Sequence, residues 1–288
     1  MEQLVESVSW RPAPPLRAMV AYYHGYRQAG YPPAQHRGLP SPYLTLIITF
    51  DDPLLVTAHP DPRQHGGHYR TLIGGLHTRP ALITRTEREA GIQLALNPLG
   101  VPALLGLPAS ELAGIDLDAA EVFGPTAEEI RERVGAATTW PQRFAVLDEV
   151  LLRLTDQDGC PDPVPEVYQA WRRLISTAGT ARVGRIAQEV GWSDRHLANR
   201  FRSAVGLSPK ETARVMRFDR ARRRLQRQAV AGHVAPLAEL AAATGYYDQA
   251  HLAREFRELA GCSPSRWLAE EFGKVQAGAP AEPEPWPA

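Results

Sequence analysis

Gly191-Trp192-Ser193-Asp194-Arg195-His196-Leu197-Ala198-Asn199-Arg200-Phe201 returns, altered, as Gly245-Tyr246-Tyr247-Asp248-Gln249-Ala250-His251-Leu252-Ala253-Arg254-Glu255-Phe256. Each copy runs on into Gly-x-Ser-Pro, as Gly206-Leu207-Ser208-Pro209 and Gly261-Cys262-Ser263-Pro264. With Ser193 and Asp248 aligned as helix N-caps, the copies match without a gap. Leucine falls four places on, phenylalanine eight, glycine thirteen and Ser-Pro fifteen and sixteen. Only the glycine before the cap shifts, by one residue, so the second copy has the longer turn.

A small polar N-cap satisfies the free N–H groups at a helix start. Leucine and phenylalanine four apart then share one face, which packs inward. The glycine ends the helix in a conformation other residues resist, and Ser-Pro opens the next one. Ahead of each turn lies a short apolar-periodic helix, marked by Val183, Ile186, Ala187 and Val190 in one copy and by Leu237, Leu240 and Ala241 in the other. Helix, tight turn, helix is the helix-turn-helix pattern, whose second helix enters the DNA major groove. Two such units with N-caps 55 residues apart are far more specific than one.

The 288 residues leave room for two domains with their own cores. Net charge is zero, but residues 1–165 hold 13 Arg against 19 Asp and Glu, whereas residues 166–272 hold 18 Lys and Arg against 11 acids. A basic C-terminal half joined to an acidic N-terminal half suggests a polyanion-binding module carried by a unit of another kind. The two cysteines, Cys160 and Cys262, offer neither a disulfide framework nor zinc spacing. No apolar run reaches membrane-span length and the N-terminus lacks a secretion signal, so the expected location is the cytoplasm.

The expected fold class is α+β, with a small, cupin-like N-terminal β-barrel flanked by helices and an all-α C-terminal domain. Residues 1–17 are proline-rich and expected to be extended ahead of the fold. Residues 18–155 form the barrel and helices, with strands such as Tyr43–Phe50, Leu54–Thr57, Tyr69–Leu76, Ala81–Thr84 and Gly91–Leu96. Helices follow at about 98–106, 110–113, 126–136 and 140–154. The last, with Phe144, Leu147, Val150, Leu151 and Leu154 inward, is either a brace on the barrel or a dimerisation surface. Residues 156–165 read as a linker, 166–272 as seven helices with a long connector at 210–229, and 273–288 as a disordered Pro-rich tail. Arg222, Arg223 and Arg224 cannot all share one helix face, so at least one is solvated or ion-paired.

On these motifs the C-terminal region, about 105 residues, resembles the DNA-binding domain of the AraC/XylS family of bacterial transcription regulators. The resemblance implies two helix-turn-helix units joined by a rigid helix and set in successive major grooves. It places base-facing side chains two, five and six positions after each N-cap: Arg195, Ala198 and Asn199 in the first unit, Ala250, Ala253 and Arg254 in the second, with Gln249 beside them. Arginine suits guanine, asparagine and glutamine suit adenine, and alanine suits the thymine methyl. His196 and His251 occupy equivalent places and are candidate phosphate donors, and Arg200, Arg202 and Arg257 lie nearer the backbone track. The resemblance also implies an activator that contacts RNA polymerase. A small-molecule effector and a second copy of the chain are further candidate partners, with no cofactor. Candidate pocket-lining segments are Pro42–Leu46 and Gly74–His77, although a strand core explains both equally well.

Three alternatives stay open to different degrees. The barrel could be a metal-dependent enzyme built on His24, His36, His59, His65, His68 and His77, but no His-x-His lies within a strand. An alkylation-repair methyltransferase fused to the same DNA-binding domain would need a reactive cysteine and a zinc cluster, which Cys160 and Cys262 do not supply. A purely dimerising N-terminal module without ligand remains compatible with the sequence.

Overall fold

The computed structural model describes residues 4–155 and 163–276, with side chains to residue 270. Residues 156–162 of the expected 156–165 linker and 277–288 of the expected 273–288 tail lie outside the described residues. Pro165 already opens a helix, and residues 273–276, expected to be disordered, continue one. In chain order the strands are β1 (Leu4–Trp10), β2 (Val20–Ala29), β3 (Ala34–Gly38), β4 (Leu44–Thr49), β5 (Leu54–Ala58), β6 (Gly67–Tyr69), β7 (Thr71–Gly74), β8 (Ala81–Arg85), β9 (Arg88–Leu96) and β10 (Asp116–Asp118). The N-terminal helices are α1 (Val101–Leu105), α2 (Ala120–Phe123), α3 (Thr126–Ala136) and α4 (Trp140–Thr155), with 3-10 turns at Pro14–Leu16 and Ala109–Leu112.

The strands form two sheets, not the expected closed barrel. The larger runs β1-β2-β9-β4-β7-β10 and the smaller β3-β8-β5-β6, each antiparallel throughout. Closure would require the outer strands of one sheet to bond those of the other, and no such pairing occurs among the described residues. The chain instead changes sheet at sharp bends, most abruptly at Arg70, the single residue between β6 and β7.

The segment 1–17 also needs correction. Leu4–Trp10 is an edge strand, paired with β2 from Leu4↔Ala29 to Trp10↔Tyr23. Its prolines, Pro12, Pro14 and Pro15, all fall after Trp10 and so do not interrupt the ladder. Trp10 then stacks on Phe144 of α4 at 5.5 Å between centroids.

One face of the larger sheet, with Tyr23, Leu44, Leu46, Ile48, Ile73, Ile92 and Leu94, packs on the helices through Phe144, Leu147, Val150 and Leu151. Helix α4 is therefore a brace. Its Asp148 accepts hydrogen bonds from Ala13 N at 3.0 Å and from the Tyr23 hydroxyl at 2.9 Å. The period-2 alternation of β4 leaves Thr45 and Ile47 on the opposite face, toward the smaller sheet. The Ala109–Leu112 turn packs directly on Gly75, which follows β7 and where an added Cβ would fall 1.6 Å from the Leu112 carbonyl oxygen.

Among the described residues the C-terminal region is all helical: α5 (Pro165–Ser176), α6 (Val183–Glu189), α7 (Asp194–Val205), α8 (Pro209–Val230), α9 (Leu237–Thr244), α10 (Gln249–Ala260) and α11 (Pro264–Gln276). A core through Trp171, Leu197, Phe201, Phe218, Leu252, Phe256 and Trp267 joins them.

Candidate nucleic-acid interface and interdomain cavity

The repeated motif folds as two matching units, α6-turn-α7 and α9-turn-α10. Ser193 Oγ accepts from His196 N at 3.2 Å, and Asp248 Oδ1 accepts from His251 N at 2.7 Å. Leu197, Phe201, Leu252 and Phe256 are wholly buried, so each second helix presents its other face outward. Arg195, His196, Asn199 and Arg200 of α7 are exposed there, as are Gln249, Ala250 and Arg254 of α10. Ala198, Ala253 and His251 are half-buried. Among the described residues Arg195, Arg200 and Arg254 make no ion pair, which leaves their guanidinium groups available to a polyanion.

The two histidines also pack against their own turns. His196 lies edge-on to Trp192 at 4.6 Å and His251 edge-on to Tyr246 at 5.2 Å. His251 Nδ1 also accepts from Tyr247 N at 3.5 Å. Trp192 N bonds the Ala187 carbonyl and Tyr246 N the Ala241 carbonyl, so these two residues correspond. The extra residue of the longer turn is therefore Tyr247. Its ring is 93% exposed beside the start of α10. Sequence reasoning noted the insertion but not the aromatic side chain it places at the surface.

Helix α8 sets the spacing of the two units. It opens with a capping box between Ser208 and Glu211 and runs 22 residues, or about 33 Å at 1.5 Å per residue. Arg214 Nε donates to Glu255 Oε1 at 2.8 Å, and its Nη2 bonds Glu258, tying α8 to α10. Arg222 and Arg223 are buried on Asp219 at 2.6 and 2.8 Å, while Arg224 is exposed. The triplet is thus divided as a helix requires.

The first unit and the flanking helices α5 and α11 also rest on the N-terminal domain. Ser110 Oγ donates to the Ser203 carbonyl of α7 at 2.7 Å, and the Tyr168 hydroxyl donates to the Leu99 carbonyl at 3.1 Å. Arg37 Nε of β3 donates to Glu270 Oε2 of α11 at 3.0 Å. That contact holds the Glu270 carboxyl below its ordinary range, against the opposing effect of burial, with Arg266 assisting.

Between the two sheets lies a cavity of about 230 Å³. The sheets contribute Tyr22, His24, Thr45, Gly74, His77 and Asp116, and helices α8 and α11 contribute Arg222, Gln226 and Trp267. The segments Pro42–Leu46 and Gly74–His77 supply Tyr43, Thr45, Gly74, Gly75 and His77, whereas Leu44, Leu46 and Leu76 are core. Burial pushes the Tyr43 hydroxyl well above the usual tyrosine range, with Asp219 adding to the effect. Burial also lowers His77, against the opposite pull of Asp116. His24 and His36 line the cavity, His59 bonds Asp116, and His65 and His68 are exposed. Among the described residues no group of three or more His, Cys, Asp or Glu is arranged to hold a metal ion. No described helix is long and apolar enough to cross a membrane.

A family model described as a helix-turn-helix domain matches residues 186–270. A second, a domain of unknown function (DUF6597), matches residues 9–118. No curated protein matches the chain. Among solved structures, an apo variant of ToxT from Vibrio cholerae is similar over 94% of this chain and 98% of its own, at 9% identity and a TM-score of 0.50, which indicates a shared fold. The C-terminal domain of AraT, a response regulator from Geobacillus stearothermophilus, matches 37% of this chain and 86% of its own at 21% identity and a TM-score of 0.33. The AraC-like transcriptional activator CuxR matches 81% of this chain and 83% of its own at 15% identity and a TM-score of 0.32. The duplication that stands out in the sequence is thus a duplication of structure, and residues 186–270, which hold most of it, match a helix-turn-helix domain family.

Proposed function

We propose that the chain is a sequence-specific, ligand-responsive transcription regulator that binds promoter DNA with α7 and α10 in successive major grooves. The observation that carries this reading is the pair of capped helices, each with a polar outer face, separated by a connector of about 33 Å. That length matches one DNA turn of about 34 Å. Arg195 and Arg254 would address guanine, Asn199 and Gln249 adenine, and Ala250 a thymine methyl. Arg200, Arg202 and Arg257 would add phosphate contacts, with His196 and His251 beside them.

The N-terminal sheets are the sensor in this reading, with a small-molecule effector in the interdomain cavity. Because α8 and α11 form part of the cavity wall, an occupant would bias the arrangement of the two domains and so the presentation of α7 and α10. The proposal extends to activation through contact with RNA polymerase, to a homodimer and to a cytoplasmic setting. Limited proteolysis tests the domain division, with cleavage expected between residues 155 and 165.

Selection of binding sites from fragmented genomic DNA, followed by titrations of wild type, Asn199→Ala and Arg254→Ala across a salt series, tests the DNA-binding reading. An enriched motif on which each substitution costs about 1–3 kcal/mol, with little effect on random DNA, is expected. No enrichment, together with affinities indifferent to both substitutions, would remove α7 and α10 as readers of sequence.

A further inference from the structure

The cavity wall contains one cross-strand row of unusual composition. Tyr22 of β2 pairs with Ala95 of β9, Ala95 with Thr45 of β4, Thr45 with Gly74 of β7, and Gly74 with Asp116 of β10. All five line the cavity. Residues opposite one another across antiparallel strands put their side chains on the same face. The row is thus a shallow trough of three small residues, bounded by a tyrosine ring and a carboxylate four strand spacings, about 19 Å, apart.

The carboxylate is held in place before any ligand arrives. Gln64 grips the Asp116 backbone at both ends, donating from Nε2 to its carbonyl at 2.8 Å and accepting from its N–H at 3.1 Å. His59 Nδ1 lies 2.7 Å from Oδ2. The other oxygen, Oδ1, has no hydrogen-bond partner among the described residues and is open to the cavity that Asp116 lines. It stands over Gly74, where an added Cβ would be 2.7 Å away. The absence of a side chain at position 74 is therefore what admits the Asp116 carboxylate to this end of the trough.

Of the other charges of the wall, Arg37 pairs with Glu270, Arg222 with Asp219 and Arg85 with Glu89, which also accepts from Gln28 and Thr86 N. Glu6 accepts from Trp140, and Arg27 and Asp52 complete the set. His77, on the same side as Asp116, has its charged form disfavoured by burial.

We propose that Asp116 Oδ1 is the anchor for a protonated nitrogen on a compact, planar effector that lies along the Ala95-Thr45-Gly74 trough toward Tyr22. This rests on the reading of the cavity as an effector site and adds the chemical class. A ligand whose only charge is a carboxylate meets a like charge at this end.

The test uses the full-length protein and three shape-matched probes: benzamidine, neutral benzamide and benzoate, each titrated by calorimetry. Benzamidine should bind at least tenfold more tightly than the other two, the factor expected for a hydrogen-bonded charge. Asp116→Asn, which keeps an acceptor for His59, should bring benzamidine to the level of benzamide and leave benzamide nearly unchanged. Thr45→Leu, which fills the trough without touching Asp116, should weaken benzamidine and benzamide alike. If benzoate binds best and is lost in Thr45→Leu, the cavity is an effector site but the cation anchor is wrong. If none binds, or if benzamidine is indifferent to Thr45→Leu, both the anchor and the effector reading of the cavity fall. Should Asp116→Asn fail to fold, the ranking of the probes on wild type and Thr45→Leu still decides.

Discussion

His59 and Asp116 join the two sheets: Nδ1 of the residue following β5 lies 2.7 Å from Oδ2 of the residue opening β10, with both side chains buried. Tyr69 of β6 closes the arrangement, its hydroxyl 3.1 Å from His59 Nε2. With the sheets not hydrogen-bonded to each other as a barrel would be, this link does part of the work of closure at that edge. Asp116→Ala should therefore cost about 1–3 kcal/mol of stability, the usual loss when a buried polar partner is stranded. Asp116→Asn should cost clearly less, because the amide oxygen still accepts from Nδ1. Urea denaturation of the two variants measures the difference, and equal losses would show that the hydrogen bond itself contributes nothing.

Tyr247 should matter to DNA and not to folding. At 93% exposure its ring contributes little to the core. It sits beside the Asp248 cap that opens α10. Tyr247→Ala should weaken binding to the selected site by about 1 kcal/mol, and should leave the melting temperature unchanged. Fluorescence anisotropy with a labelled duplex, read beside a thermal melt, tests both halves. A drop in melting temperature with unchanged affinity would make Tyr247 a structural residue.

The contact between β3 and α11 should titrate with acid. Arg37 holds the Glu270 carboxyl below its ordinary range, burial opposes this, and Arg266 assists. A carboxyl depressed in the folded state contributes its full stabilisation above the unfolded value of about 4.3, and that contribution disappears as pH falls through the lower folded value. Because the Glu270 side chain is 34% exposed, the contribution is about 0.5 kcal/mol. Glu270→Gln should therefore melt slightly below wild type at pH 7, with the gap closing as the pH falls below the ordinary carboxylate range. A gap constant over that range would place the effect of the substitution outside the ion pair.

The duplicated unit was readable because its signals are local. Ser193 and Asp248 cap their helices as their spacing predicts, and Leu197, Phe201, Leu252 and Phe256 are buried as a four-residue period requires. The sheets were harder to read for a physical reason. Alternation along Leu44-Thr45-Leu46-Ile47-Ile48 says which side chains share a face, but not which strand lies alongside. A barrel and a pair of facing sheets give the same pattern, and the bend at Arg70 that separates them has no strong turn residue. The strand Leu4–Trp10 was hidden by the prolines that follow it. The His59–Asp116 link joins residues 57 apart on different sheets, and no motif announces it. Tyr247 did have a signal, the one-residue insertion in the second turn, which needed only to be read as a side chain as well as a length.

Gly206 ends α7 at a φ of 94°, and a Cβ there would fall 2.7 Å from the Ala113 Cβ. Nearby, the Ser110 hydroxyl holds the Ser203 carbonyl. The first reading head is thus fitted to the surface of the N-terminal domain as closely as to its own core. Chimeras that graft a foreign N-terminal domain onto residues 163–276 would inherit the second head intact but lose the seat of the first. Where such grafts are wanted, the Ala109–Ala113 stretch belongs with the DNA-binding half, so the functional seam of this protein does not coincide with the seam in its chain.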